Sequence, residues 1–322
     1  MFRVHFDMGI SIEKLAAHRL KYEAQYLNYR KSWPRHLYRH EPIENALKIL
    51  QNGSLLSRNA AAQGGLIGLD IAPEEIINST DAAHNYARLY FRPKNPTQFH
   101  IEGIRKPADY YNGKHAGFTV MFMFDAAAVL TQNTTKFSCG NMQSHITDVF
   151  DGDTGFDQLD FDSIYHDVAY PSPEVIRKRC AEVLPQSGLV LADTLRFVVV
   201  RTDADLATLK YSLGQMGLDA YLPLVRKSTG SGLFFNRYTA VEHIDSSPNR
   251  VNFKLAASSS SGQIQTSIQI LELKSRNVMF NLNADLDGNK RYYIEHNLAL
   301  GSYLVNYKLE DVFAHESQIS LM

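Results

Sequence analysis

The sequence predicts an α+β protein in three consecutive parts: an N-terminal helical segment over residues 1–35, a mixed body over 36–235 and a β-rich module over 236–322. Three observations predict it. Helical spacing fills Ser11 to Lys31 and stops at Pro34. Helix and strand patterns then alternate as far as Phe235, and from Tyr238 the chain breaks into short alternating runs separated by turn residues.

In the first part Ser11 is placed to cap a helix whose apolar face runs Ile12, Leu15, Ala16, Leu20, Glu23 and Leu27. The helix is expected to pack across the main body, with a partner-binding arm as the alternative. The body opens with a strand, His36 to Glu41, and a helix carrying Ile43, Ala46, Leu47 and Leu50 at helical spacing, closed by Gly53. Arg39 and His40 stand where strand gives way to helix, and a helix start favours anions. A loop follows, with a short helix expected around Pro73 to Asn78. Tyr86, Arg88, Tyr90 and Arg92 then alternate with Ala87, Leu89 and Phe91, which predicts a strand with one aromatic and basic face, able to stack a base and neutralise phosphate.

Gly117 to Phe124 is apolar on both faces and reads as a central strand, followed by a helical turn from Ala126 to Leu130. Phe137 to Ser144 is small and polar, of the kind that lines a pocket. Between Asp148 and Asp167 stand seven aspartates; Asp151 to Gly155 lacks the donor order of a calcium loop, so the stretch reads as a solvated loop or helix and no metal is expected. Arg196 to Val200 predicts a strand, Asp203 to Leu213 a helix, and Leu218 to Phe235 a hairpin. In the tail, Val251 to Ala256, Thr266 to Leu273, Val278 to Asn283, Arg291 to Glu295 and Tyr303 to Leu309 predict the strands of a small β-sandwich, with Asp287-Gly288 as a hairpin turn.

Composition narrows the function. Hydrophobic content of 44% and charged content of 21% exclude global disorder. A formal net charge of −1 leaves no bulk basic field, so nucleic acid would have to be met by local basic patches. The chain carries no apolar run of about 18 residues, and Met1 to Asp7 has an early acid and no apolar core, so a cytoplasmic protein without a membrane partner is expected. Cys139 and Cys180 lack metal-ligand spacing and read as reduced thiols.

Arg177-Lys178-Arg179-Cys180-Ala181-Glu182-Val183-Leu184 sets one carboxylate after a basic cluster and at the head of an apolar strand. An unpaired charge entering a core costs several kcal/mol. Glu182 is therefore either a surface residue answering its basic neighbours or a carboxylate held for use.

In order along the chain, Leu37-Tyr38-Arg39-His40 with Ile43-Glu44-Asn45, Gly53 to Asn59, His84 to Pro96, Leu159 to Ile164 and Arg177 to Leu184 resemble the DarT family of NAD-dependent nucleic-acid ADP-ribosyltransferases. The resemblance covers roughly residues 36 to 215, and the β-rich tail lies outside it. It implies a split, mixed-sheet ADP-ribosyltransferase core with NAD as substrate. Glu182 takes the position of the catalytic glutamate. Arg39 falls where the family usually has an NAD-contacting histidine, with His40 one residue away; Asn45, Tyr86 and Tyr90 complete the expected NAD contacts. Thymidine-modifying members carry an arginine in the helix after the first loop, where Pro73 to Asn78 offers none, so Arg58 or Arg88 is the substitute. Arg92, Lys94, Ser138, Asn141 and Ser144 are the expected track for single-stranded DNA or RNA. A cognate antitoxin, a role in phage defence and mRNA-base modification belong to the same expectation. An NAD glycohydrolase and a catalytically silent binding module are the rival readings.

Overall fold

The computed structural model describes residues 9–26, 29–72, 82–113, 115–142, 144, 146–186, 188–230 and 232–321. The expected helix at Pro73 to Asn78 lies outside them, as does Leu27. The strands are, in order, β1 (His36–Pro42), β2 (Ser54–Leu55), β3 (Leu89–Tyr90), β4 (Thr119–Asp125), β5 (Thr135–Ser138), β6 (Val149–Phe150), β7 (Glu182–Pro185), β8 (Leu189–Val190), β9 (Leu195–Val200), β10 (Val225–Lys227), β11 (Val241–Ser247), β12 (Arg250–Leu255), β13 (Ile264–Glu272), β14 (Val278–Leu286), β15 (Arg291–Glu295), β16 (Gly301–Leu309) and β17 (Val312–Leu321).

Eight of these form one mixed sheet in the order β10-β9-β4-β1-β3-β7-β5-β6, antiparallel except for the parallel β10–β9 pair. β4 is buried from Thr119 to Phe124 and sits inside the sheet, as its continuous apolar run predicts. Between β1 and β3 the sheet narrows to a single register pair, Tyr38 opposite Tyr90. This is the split: a four-strand half on either side of one joint. The Ile43–Asn52 helix buries Ile43, Ala46 and Leu50, and it ends at Gly53 because only a residue without a Cβ takes φ 69° there cheaply.

The N-terminal helix runs Ile12–Gln25, with Ser11 as its cap. Its buried face differs from the expected aliphatic one: Ile12 and Leu20 are exposed, while Leu15 and Tyr22 are buried. The reason is aromatic. His18 and Tyr22 enter a ring cluster with Phe156, Phe161 and Tyr165, and rings bury more surface than the aliphatic side chains they displace. The acidic stretch supplies the dock: it carries two short helices, Gly152–Phe156 and Phe161–Ile164, whose exposed aspartates also serve as anchors. Asp153 accepts from the Ser11 amide and hydroxyl (2.7 and 2.6 Å), Asp157 pairs with Lys14, and Asp160 caps the Phe161–Ile164 helix and pairs with Lys178. Among the described residues no group of three His, Cys, Asp or Glu side chains is arranged to hold a metal. Nor is any helix among them long and apolar enough to cross a membrane.

Three further expectations are corrected. The aromatic and basic strand shrinks to Leu89–Tyr90, and Arg92, expected on its open face, is 0% exposed. Its guanidinium stacks on Trp33 (4.6 Å to the ring centre), bonds the carbonyls of Pro93 and His166, and pairs with Asp167. Lys94 folds back to the same Asp167. Leu218 to Phe235 is no hairpin: a 3₁₀ turn, Asp219–Leu224, leads into β10, which joins the sheet parallel to β9. Asp287-Gly288 joins β14 to β15, which belong to different sheets, so it is a crossing and not a hairpin.

The tail is a sandwich of a three-stranded sheet, β11-β12-β15, and a four-stranded one, β14-β13-β16-β17, closed on a common core that includes Val251, Phe253, Ile268, Ile270, Val305 and Tyr307. β11 and β17 were not expected from sequence. Ile104 and Ala204 of the body also enter this core.

Burial alone would raise the Asp167 carboxyl, but Arg92, Tyr29 and Lys94 outweigh it and hold it below the usual carboxylate range. The stabilisation from this group is thus present above the unfolded carboxylate value and lost as pH falls through the lower folded one, below about pH 4. Arg92→Ala, which leaves Asp167 enclosed without its main partner, should lower unfolding free energy by about 3–5 kcal/mol in urea titrations at pH 7.

Candidate active site

The strands that meet at the narrow joint border a cleft of about 470 Å³. Its wall takes Arg39, His40 and Glu41 from β1, Tyr90 from β3, Arg88 just before it, and Cys180 just before β7. Register decides which side chains share a face. Tyr38 lies opposite Tyr90, and Tyr90 opposite Glu182, so these three project to one side of the sheet. His40, two residues from Tyr38, projects the same way and stacks on Tyr90 at 5.5 Å and 16°. Burial and then Arg39 pull the His40 imidazole down to about 3, so it is neutral at physiological pH. Its Nδ1 has no hydrogen-bond partner among the described residues.

Glu182 begins β7 and is 0% exposed. Its basic neighbours do not answer it. Lys178 pairs with Asp160 and Glu174, Arg179 bonds His166 and the Val168 carbonyl, and Arg177 lies against Cys139. The partner is Arg88, whose Nε donates to Oε1 at 3.0 Å and whose Nη2 reaches the same oxygen. Nη2 also donates to the Asn141 side chain at 2.9 Å. The Met142 amide donates to Oε2 at 3.0 Å, and the Glu182 amide donates to the Ser138 hydroxyl, which itself donates to the Gly140 carbonyl. The Cys180 thiol, raised to about 12 by burial and by Glu182, stays protonated beside it.

A second charged set lies across the joint. Arg39 donates to Glu41 at 2.7 Å and to the Arg88 carbonyl at 3.3 Å. Asn45 donates to Glu41 and to the Leu69 carbonyl and accepts from the Gly68 and Leu69 amides, so its amide holds the loop that forms the cleft rim. Arg58 pairs with Asp70 on that rim. Tyr86 is half-buried in the wall.

Arg39, His40, Asn45, Arg58, Tyr86, Arg88, Tyr90 and Asn141 thus all line one cleft. Ser138 is buried beneath Glu182, and Ser144 closes a turn whose side chain lies outside the cleft wall. Arg92 and Lys94 turn to Asp167, so of the five residues expected to track nucleic acid only Asn141 stands in the cleft wall. Sequence reasoning missed Glu41, although its position two residues after Arg39 puts both on one strand face, and it missed Asp70. The Met142 amide carries no sequence signal.

The family described as ssDNA thymidine ADP-ribosyltransferase, DarT, matches residues 38–228, more than half of the chain. The protein belongs to the DarT family. It is an NAD-dependent ADP-ribosyltransferase, with NAD as the substrate of the DarT reaction. Among solved structures, DarT of Thermus sp. 2.9 in complex with ADP-ribosylated ssDNA is 19% identical, covers 63% of this chain and 97% of its own, and superposes with a TM-score of 0.48. The same protein with NAD+ is 20% identical over 61% and 96% (TM-score 0.46). Thermosipho africanus DarTG in complex with ADP-ribose is 16% identical over 56% and 47% (TM-score 0.44). No curated protein matches the sequence. The DarT match ends before β11, so the sandwich stands outside the family region.

For a DarT-type reaction the arrangement offers two carboxylates sealed from water beside guanidinium groups, Glu182 with Arg88 and Glu41 with Arg39. Fixed negative charge stabilises an oxocarbenium-like sugar most where water cannot screen it. Ser138→Ala removes the acceptor for the Glu182 amide and should cost about 1–3 kcal/mol of stability, read by chemical denaturation, while Ser138→Thr keeps the hydroxyl and should lose less.

Proposed function

We propose that the protein transfers ADP-ribose from NAD to a ring nitrogen of thymine in single-stranded DNA, with Glu182 as the catalytic carboxylate. The observation that carries this is the placement of Glu182: buried, at the joint of the split sheet, and bound by a guanidinium that itself lines the cleft. Glu41 is likewise buried against a cleft-lining arginine, Arg39; Glu182 is preferred because in the resemblance to DarT it takes the position of the catalytic glutamate.

The C1′–nitrogen bond of NAD breaks with its electron pair passing to the pyridinium ring, so neutral nicotinamide departs and positive charge develops on the ribose. Glu182 holds the 2′-hydroxyl and offsets that charge. The thymine N3 forms the new bond to C1′, and its proton passes to Glu182 and on to solvent. Arg88 must leave Oε1 for this, and the pyrophosphate of NAD is the competing anion that draws it away. Thymine loses its ring proton more readily beside a cation, and of the three arginines in the cleft wall, Arg39, Arg58 and Arg88, the last two are the candidates for that task. His40, neutral and with a ring nitrogen that none of the described residues bonds, on the Glu182 face, is the better of the two first-strand candidates for an NAD contact, since Arg39 is held by Glu41. Tyr86 and Tyr90, both in the cleft wall, are the rings proposed to contact NAD.

An enzyme that marks the bases of its own cell is harmful to it, so the reading extends to a cognate antitoxin, which removes the mark or blocks the cleft, and to a use against invading phage. Glu182→Gln should reduce transfer by roughly 10²–10³-fold or more while the protein stays folded. Mass spectrometry of DNA and RNA oligonucleotides incubated with NAD measures it. Undiminished product from the variant removes Glu182 from the chemistry; free ADP-ribose from the parent without any oligonucleotide makes it a glycohydrolase, and a mark found on RNA alone reassigns the acceptor.

A further inference from the structure

One stretch of the cleft wall is built by neither half of the split sheet. Residues 102–113 leave the Pro96–Ile101 helix as a loop, and 115–116 lead back to β4. The loop is pinned at its base, where Glu102 pairs with Ala116 and the Ala116 amide donates to the Ile101 carbonyl. It is pinned again by the sandwich. Ile104 pairs with Thr239 and is buried in the sandwich core, and Asp109 accepts from the Ser260 hydroxyl at 2.6 Å. Arg105, 4% exposed, lies 3.9 Å from the centre of the Tyr238 ring and bonds the Glu102 carbonyl.

This bracing presents Tyr111. Its ring stacks on His100 at 3.9 Å and 20°, and both residues line the same cleft as Arg88 and His40. One face of the ring is therefore backed, yet Tyr111 is 50% exposed, so the remainder is open. A tyrosine on an ordinary surface needs no explanation. This one is inside a cleft, supported from behind, and carried by a loop tied down at two places. The residue after it, Asn112, takes φ 50°, a conformation asparagine tolerates better than most side chains, which turns the chain sharply past the ring. A fixed aromatic face in a cleft with cations is the surface on which a nucleobase stacks. The link to the chemistry is short: the Tyr90 hydroxyl donates to Thr97 on the helix that carries His100, and Tyr90 lies opposite Glu182.

We propose that the His100–Tyr111 pair is a nucleobase-stacking platform, and that the sandwich, which lies outside the DarT region, serves to hold it in the cleft. The base belongs either to the acceptor strand or to the adenine of NAD, an assignment that rests on the transferase reading; the stacking itself does not.

The test measures binding, with turnover as a separate readout. A single-stranded oligonucleotide carrying 2-aminopurine and, in parallel, 1,N6-etheno-ADP-ribose are titrated with the parent protein, Tyr111→Phe and Tyr111→Ala. The parent and the Phe variant should quench one of the probes and bind it within about twofold of each other, and the Ala variant should lose the quenching and bind roughly tenfold more weakly. Loss confined to the oligonucleotide assigns the base to the acceptor strand, and loss confined to the etheno probe assigns it to NAD. Both support the platform. Equal affinity of parent and Ala variant for both probes, or a Phe variant as weak as Ala, overturns it. Asp109→Ala, away from the ligand, should weaken the same probe roughly two- to tenfold through the cost of ordering a loosened loop; unchanged affinity removes the sandwich from the proposal. Should the parent bind the probe through Tyr111 but form no ADP-ribosylated product, the transferase reading fails and the platform stands.

Discussion

The ion pair between Arg88 and Glu182 is the interaction on which the rest of the molecule depends. Two opposite charges taken out of water repay their desolvation only when the geometry is good and the remaining lone pairs are used. Here both conditions are met by one short stretch, residues 138–142: the Met142 amide on Oε2, the Asn141 side chain on Arg88, and Ser138 under the Glu182 backbone. Breaking such a pair by removing one partner is expensive, about 3–5 kcal/mol in comparable sites. The protein therefore holds the Glu182 carboxylate in a stable, closed arrangement, and in the mechanism proposed above an incoming anion is what releases it.

The fold is arranged to put that pair at a joint. A continuous eight-stranded sheet held by full ladders would leave no cavity; a sheet that narrows to one register pair gives both a cleft and two rigid walls. The walls are stiff for different reasons. On one side β1 pairs with β4 along its whole length, from His36 to Pro42. On the other, β7 is clasped between β3 and β5, and the N-terminal helix is riveted to the flanking acidic stretch through Asp153 and Asp157.

Much of this was legible. The helix ended by Gly53, the central strand β4 and the strand opening at Glu182 follow from local spacing and turn chemistry, and the ordered set of short matches was enough to name the family. What stayed hidden was long-range. Arg92 reads as an alternating surface cation because the partners that bury it, Trp33 and Asp167, are distant in sequence. Arg88 and Glu182 were each singled out, but nothing in either neighbourhood says that they meet. Asp287-Gly288 has the chemistry of a tight turn, and local chemistry does not reveal which sheet the next strand joins. Arg39 and His40 were inseparable by sequence; register separates them, because a shift of one residue moves a side chain to the opposite face.

The tie between Ile104 and Thr239 has a temporal side. A ribosome releases the body of the protein before it has made the strands that steady residues 102–113. Until those later strands arrive and pack, a nascent chain has its cleft but an unfinished wall around it. Whatever the cleft holds is therefore held firmly only once the C-terminal strands have folded.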